Sequence, residues 1–282
     1  MGGVLDEAPA DGGAVSGWLD ALHFHGGPVL ITGAAGGIGR RLAAAFAELD
    51  AELVLVDRPG ADWEPVRAAL HGLVVRPVMY LEADLEDQAE RQRLIDRQVG
   101  QAKPLAALVN NAAFVGTSGL TGWAVPFAKQ SVETFRRALE VNLTAVFHLC
   151  QGLAPSLGRA GGGGAIVNIG SIHGALGPDW SLYEGTAMSN PAAYAASKGG
   201  VIQLTRWLST TLAPAVRVNA VSPGGILRGQ PETFVRRYEQ RTPLGRMGTE
   251  DDVVGAVLHF AGGWSRYTTG QHLLVDGGWS TW

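Results

Sequence analysis

Pro28-Val-Leu-Ile-Thr-Gly-Ala-Ala-Gly-Gly-Ile-Gly39 decides the fold, because an apolar strand runs into a glycine-rich turn and then into a helical stretch. Glycines at such a junction let the backbone turn tightly and approach an anion, while the helix start offers unpaired N–H groups and a favourable dipole. An acid, Asp57, ends a second apolar run 18 residues beyond Gly39. That spacing suits a carboxylate hydrogen-bonded to a ribose 2′-hydroxyl, and its charge would repel a 2′-phosphate, so NAD is favoured over NADP. Arg58 follows directly and could offset part of that repulsion. The glycines fit two registers, one through Gly33, Gly37 and Gly39 and one through Gly33, Gly36 and Gly39. Local sequence does not separate them.

Working outward, short apolar runs alternate with longer helical stretches. Strands are expected at Val29–Thr32, Leu53–Asp57, Arg76–Glu82, Ala107–Asn110, Ala165–Gly170, Val216–Val221 and Leu273–Asp276. Helices are expected near Ile38–Leu49, Glu86–Val99, Val132–Leu153, Pro191–Leu212 and Glu250–Phe260. Continuous apolar strands between helices predict an α/β fold with a Rossmann-type doubly wound parallel sheet of about seven strands, covered on both faces. No repeat or linker divides the chain, so residues 27–282 read as one domain behind an extension over 1–26, whose first 15 residues have a disordered composition.

Composition narrows the function classes. The 282 residues are 46% hydrophobic and 17% charged, with a net charge of −4, which argues against a nucleic-acid surface. A single cysteine, Cys150, excludes an internal disulfide and sits in an apolar run as a core thiol. No apolar run reaches the roughly 20 residues of a membrane span, and the acidic N-terminus lacks a signal peptide's basic region. A soluble, cytoplasmic protein is expected, with no membrane partner. His23 and His25 lack the companions of a metal site, and no metal is expected.

Near the other end lies Asn190-Pro-Ala-Ala-Tyr-Ala-Ala-Ser-Lys198. On a helix Tyr194 and Lys198 share a face, so the phenol and the ammonium can enter one cleft. A phenol ionises near pH 10 unperturbed, and a neighbouring cation favours the phenolate that proton transfer needs.

Together these segments resemble the short-chain dehydrogenase/reductase family over roughly residues 27–282. Thr32–Gly39 is similar to its cofactor turn, Ala83-Asp84-Leu85 to its adenine-pocket motif, and Asn110-Asn-Ala-Ala113 to its Asn-Asn-Ala-Gly signature. Asn142, Ser171, Tyr194 and Lys198 match the catalytic residues; Ser222-Pro-Gly-Gly225 resembles the nicotinamide-side loop and Val275-Asp-Gly-Gly278 the closing strand. The resemblance favours the register through Gly33, Gly37 and Gly39. It implies Tyr194 as acid/base, Lys198 on the tyrosine and the cofactor ribose, Ser171 on the substrate oxygen and Asn142 on a relay water. It further implies cofactor contacts from Gly33, Gly37, Ile38, Gly39, Asp57, Asp84, Leu85, Asn111, Ala112, Tyr194, Lys198, Pro223, Gly224 and Ile226, and a homotetramer or homodimer.

Three departures bear on substrate. Ala113 replaces the signature glycine. Ser171 and Tyr194 stand 23 residues apart, leaving an insertion over 174–190; its Tyr183 is excluded as the base because Ala187, not lysine, follows four residues on. Arg228 stands where the family offers threonine to the nicotinamide amide. Substrate contacts are expected from His173, Trp180, Tyr183 and Arg228, with 225–245 as a lid. Its Arg236, Arg237 and Arg241 suit a carboxylate or phosphate, or form a solvated helix face. Gly177–Gly185 with Ser222–Ile226 also resembles oxidoreductases of bacterial surface-polysaccharide and flagellar-sugar synthesis. The expected activity is NAD(H)-dependent interconversion of a secondary alcohol and a ketone on a sugar or sugar derivative. A simple or acyl-carrier ketone is the second substrate class. A nucleotide-sensing regulator and an epimerase or dehydratase are the competing readings.

Overall fold

The computed structural model describes residues 27–282 except 74, 75, 116, 117 and 162, together with residues 17, 21, 23 and 24. The expected disorder over 1–15 and His25 lie outside these residues. Seven strands form one sheet: β1 Val29–Thr32, β2 Leu53–Asp57, β3 Val78–Glu82, β4 Ala107–Asn110, β5 Gly164–Ile169, β6 Val216–Pro223 and β7 His272–Val275. Their order is β3-β2-β1-β4-β5-β6-β7, and every neighbouring pair is parallel. Strand order therefore reverses between β1 and β4, which opens a crevice at the carboxyl ends of those strands.

Among the described residues there are eight α-helices: α1 Gly37–Glu48, α2 Glu64–Leu70, α3 Gln88–Val99, α4 Val132–Leu139, α5 Ala145–Leu157, α6 Ala192–Thr211, α7 Glu232–Arg241 and α8 Glu250–Ala261. Side chains alternate along each strand, so one strand feeds two cores. Val29 and Ile31 join Leu42, Phe46, Val253 and Val257 of α1 and α8. Leu30 turns the other way, towards Leu94 of α3, Leu149 and Leu153 of α5 and Val201 of α6. Such two-sided burial explains why the strands carry unbroken apolar runs.

The expected helix over Val132–Leu153 is interrupted: α4 and α5 are separated by a π turn at Glu140–Thr144. Apolar periodicity runs through the turn almost unchanged, so the pattern hides it. Arg91 of α3 braces this turn. Its guanidinium is almost fully buried, lies 2.6 Å from Glu140 Oε1 and donates to the Leu85 and Glu86 carbonyls. The short α2 escaped the periodicity, as seven residues make barely two turns.

Of the three C-terminal tryptophans, Trp279 packs inside the chain at 2% exposure, stacked on Tyr238, whereas Trp282 is 71% exposed. Among the described residues, no helix is long and apolar enough to cross a membrane.

Removing the carboxylate that faces Arg91 leaves a buried cation without its partner. Glu140→Ala is expected to lower the unfolding free energy by about 3 kcal/mol, read as a lower urea midpoint. An unchanged midpoint would show that the Leu85 and Glu86 carbonyls and His148 Nδ1 satisfy Arg91 without the carboxylate.

Candidate active site

The site grows from the contact between β5 and α6. Lys198 is 3% exposed and its ammonium donates to the Ile169 carbonyl at 2.7 Å, at the last residue of β5. A side chain at Gly174 would collide with the Lys198 backbone, a β-carbon there lying 2.6 Å from the Lys198 carbonyl carbon. Lower down, Asn168 Nδ2 donates to Thr205 Oγ1 at 2.9 Å and Asn168 Oδ1 accepts from Asn110 Nδ2 at 2.8 Å, stitching β4, β5 and α6 together. This close approach brings Ser171, just past β5, beside Tyr194 in the first turn of α6.

Burial has the largest influence on the Tyr194 phenol and raises its pKa above the usual 10. The Ser171 hydrogen bond and the Arg228 charge act against that rise, and nearby Tyr183 adds to it. Burial also depresses Lys198, to about 8. The sequence expectation that a neighbouring cation favours the phenolate thus meets a stronger opposing effect of burial. Lys198 Nζ stands 5.9 Å from the centre of the Tyr194 ring, with its proton directed to Ile169.

Asn142 lies in the π turn and is fully buried. Its Oδ1 accepts from Phe114 N at 2.7 Å, and its Nδ2 donates to the Phe114 carbonyl and to Ser197 Oγ, each at 3.1 Å. The amide therefore fastens the loop after β4 to α6, next to Tyr194, whose carbonyl accepts from Ser197 Oγ.

Across the crevice, the glycine turn joins β1 to α1. Gly33 has φ +64, and a side chain there would strike the Ala112 backbone. At Gly39 a β-carbon would collide with the Gly33 carbonyl, whereas at Gly36 it would stay 3.2 Å from that oxygen. The closest approaches to backbone within this turn thus fall on Gly33 and Gly39. Ile38 is half-buried between them. Asn111 Nδ2 donates to the Thr32 and Gly33 carbonyls, each at 2.9 Å, and Ala112 N donates to Thr32 Oγ1. Asp57 accepts from Ala35 N and from Arg58 N, each at 2.8 Å, so its carboxylate is fixed beside the turn. Arg58 is exposed and makes no ion pair among the described residues. Asp84 is exposed and accepts from Glu86 N, next to buried Leu85. At the far lip Gly224 N bonds the Val275 carbonyl, after Pro223, and Ile226 bridges to Gly248.

These residues fit a dinucleotide. The start of α1 has no capping side chain and no acid in its first turn, so its N–H groups are open to an anion. A cofactor held here would have Gly33, Gly37 and Gly39 at its pyrophosphate and Asp57 at its ribose.

The insertion and α7 form the opposite wall. Trp180, Tyr183, Phe234, Tyr238 and Trp279 make a continuous column of ring contacts with centroids 5.4–6.0 Å apart. Tyr183 is half-buried beside Asn190, while Trp180 is half-exposed at the column's outer end. Arg237 donates to the Glu184 carbonyl at 2.5 Å, and Arg241 lies 3.0 Å from Asp179. Two of the arginines that could have met a substrate anion therefore hold the insertion, and Arg236 is exposed, 3.8 Å from Glu232. His173 is pushed down to about 4 by burial, and its backbone N–H donates to Ser171 Oγ at 3.2 Å. Arg228 is not on this wall. Its Nε donates to Glu250 across Gly37, on the cofactor side.

Two residues in the site escaped the sequence reading. Tyr238 Oη accepts from Gly225 N at 2.6 Å and so holds the loop after β6. Its only signal was the helical spacing from Phe234. Glu250 read as a helix-starting acid, and nothing local tied it to Arg228.

The chain matches the family model described as enoyl-(acyl carrier protein) reductase over residues 33–280. It is 32% identical over 272 residues to galactitol 2-dehydrogenase (L-tagatose-forming) of Cereibacter sphaeroides, covering 93% of this chain and 98% of that protein. A crystal structure of a short-chain dehydrogenase from Leptospira borgpetersenii with bound NAD+ superimposes with a TM-score of 0.78 at 32% identity, covering 92% of this chain and 95% of that one. A gluconate 5-dehydrogenase from Burkholderia cenocepacia in complex with NADP and tartrate also gives 0.78, at 28% identity, over 94% of this chain and 99% of that one. A family model spanning most of the chain, a parallel seven-stranded sheet and these relatives agree: the chain belongs to the short-chain dehydrogenase/reductase family of oxidoreductases.

Proposed function

We propose that this oxidoreductase interconverts a secondary alcohol and a ketone on a sugar, polyol or sugar derivative, with NAD(H) as its cofactor. The observation that carries the reading is the juxtaposition of Ser171 and Tyr194 at the end of β5, with buried Lys198 on the same helix as the tyrosine, across the crevice from the glycine turn. Galactitol and gluconate dehydrogenases among the relatives support a polyhydroxylated substrate. Asp57 supports NAD, because its fixed carboxylate would repel a 2′-phosphate. The relatives' structures hold NAD+ in one case and NADP in another, so cofactor preference rests on Asp57.

Bound nicotinamide would supply or accept the hydride. In the reducing direction Tyr194, kept protonated by burial, gives its phenolic proton to the carbonyl oxygen as negative charge develops there. Ser171 donates a hydrogen bond to the same oxygen, an interaction that strengthens towards the transition state. Oxidation runs both steps backwards, with the Tyr194 phenolate taking the alcohol proton. Lys198 supplies the cation that stabilises that phenolate and can hold the cofactor ribose. Asn142 keeps the loop after β4 in place against α6.

Screening sugars, polyols and hydroxy acids by the absorbance of reduced nicotinamide identifies a substrate. With it, Tyr194→Phe is expected to lose about 10³-fold in kcat while NADH affinity stays within about threefold. Turnover retained by that variant contradicts the mechanism. NADH bound with no turnover anywhere in the panel would favour a nucleotide sensor.

The pH profile supplies an independent check. Lys198 acts as an ammonium and is depressed to about 8 by burial. The protein should lose kcat/KM for NADH as pH rises through about 8, since this ratio follows the free enzyme. Lys198→Arg, which stays charged, should move that decline to higher pH; a decline unmoved by the substitution assigns it to another group.

A further inference from the structure

One ion pair takes up the space beside Gly37, the first residue of α1. Arg228 Nε donates to Glu250 Oε1 at 2.8 Å. A β-carbon built on Gly37 would stand 2.5 Å from that oxygen and 3.0 Å from Arg228 Nη2. The two side chains thus occupy the one face of the turn that a missing side chain leaves open. Arg228 comes from the loop after β6 and Glu250 opens α8, so the pair reaches the turn from the far lip of the crevice. Arg228 is also near enough to Tyr194 to favour the phenolate, against the larger opposing effect of burial.

The pair is poorly placed as a structural device. The Arg228 side chain is 45% exposed and that of Glu250 is 24% exposed, and pairs this wet hold their partners weakly. It is well placed for exchange. The start of α1 attracts an anion, yet the anion now lying on Gly37 is a carboxylate that belongs to another helix. A guanidinium fork suits two phosphate oxygens at least as well as one carboxylate.

Building on the dinucleotide reading above, we propose that Arg228 is a pyrophosphate clamp kept in reserve by Glu250. An arriving dinucleotide places its pyrophosphate at Gly37 and takes the guanidinium from Glu250. Glu250 competes with the ligand, so it sets affinity from the opposite direction. The loop after β6 then closes over the cofactor through its own arginine, at the position where the family's pattern has a threonine.

The two residues make opposite predictions although they form one ion pair. Calorimetric titration with ADP-ribose, which carries the pyrophosphate without the nicotinamide, is run on the full chain and on two variants. Arg228→Gln is expected to weaken binding about tenfold or more, and Glu250→Gln to tighten it about threefold, as a charge-assisted contact is lost in one and a competitor in the other. A purely structural pair would lose affinity equally in both variants, and that result overturns the clamp. So does Arg228→Gln binding as tightly as the unaltered chain, which would move Arg228 to the substrate. Where Arg228→Gln melts well below the parent, Arg228→Lys keeps the charge but not the fork; the clamp requires intermediate weakening there, and parental affinity overturns it. No binding of ADP-ribose or NADH to the unaltered chain would sink the dinucleotide reading and the clamp together. Binding there with no effect of Arg228 sinks the clamp alone.

Discussion

Everything at the site depends on how closely α6 lies against the end of β5. Gly174 permits the contact, because any side chain there would meet the Lys198 backbone. Lys198 then directs its ammonium to the Ile169 carbonyl. Burying a cation is costly unless its donors are matched, and a single short hydrogen bond matches it only in part. The depressed ionisation of Lys198 is the visible result. The same approach sets Ser171 beside Tyr194, so the proposed substrate-oxygen recognition and proton transfer rest on one packing contact.

A second constraint ties the substrate side to the cofactor side. The insertion over 174–190 is held to α7 by ring contacts, by Arg237 on the Glu184 carbonyl and by Arg241 beside Asp179. Tyr238, in the middle of that column, also accepts from Gly225 N at the nicotinamide-side loop. Gly225 itself has no room for a side chain against the Tyr238 ring. A displacement of α7 would therefore pull on the loop after β6. The insertion, α7 and the loop after β6 form one packed body, with Trp180 at its exposed edge.

Much of this was legible in the sequence, for physical reasons that can be named. β1, β2 and β4 fall where their apolar runs fall, since strands buried on both faces leave no polar position to blur the ends. Tyr194 and Lys198 were legible as a pair on one helix face from their spacing, and as candidate catalytic residues from the family resemblance of the motifs around them. The π turn at 140–144 was not, as it inserts a residue without disturbing the apolar pattern. Arg228 was legible as a departure, but its direction was not: it is set by Glu250, 22 residues further on in another helix. Nor could the sequence tell that Arg237 and Arg241 would bind backbone and Asp179. The balance between burial and cation at Tyr194 is likewise a tertiary quantity, and burial wins it.

The most direct measurement is a crystal structure of the chain with NADH, read at the nicotinamide C4 atom. The account predicts that C4 faces Tyr194 Oη across a gap fit for one substrate carbon, within a few ångströms of Ser171, with the adenosine ribose on Asp57. A dinucleotide bound with its nicotinamide turned away from Tyr194, or bound outside the crevice between β1 and β4, would contradict it.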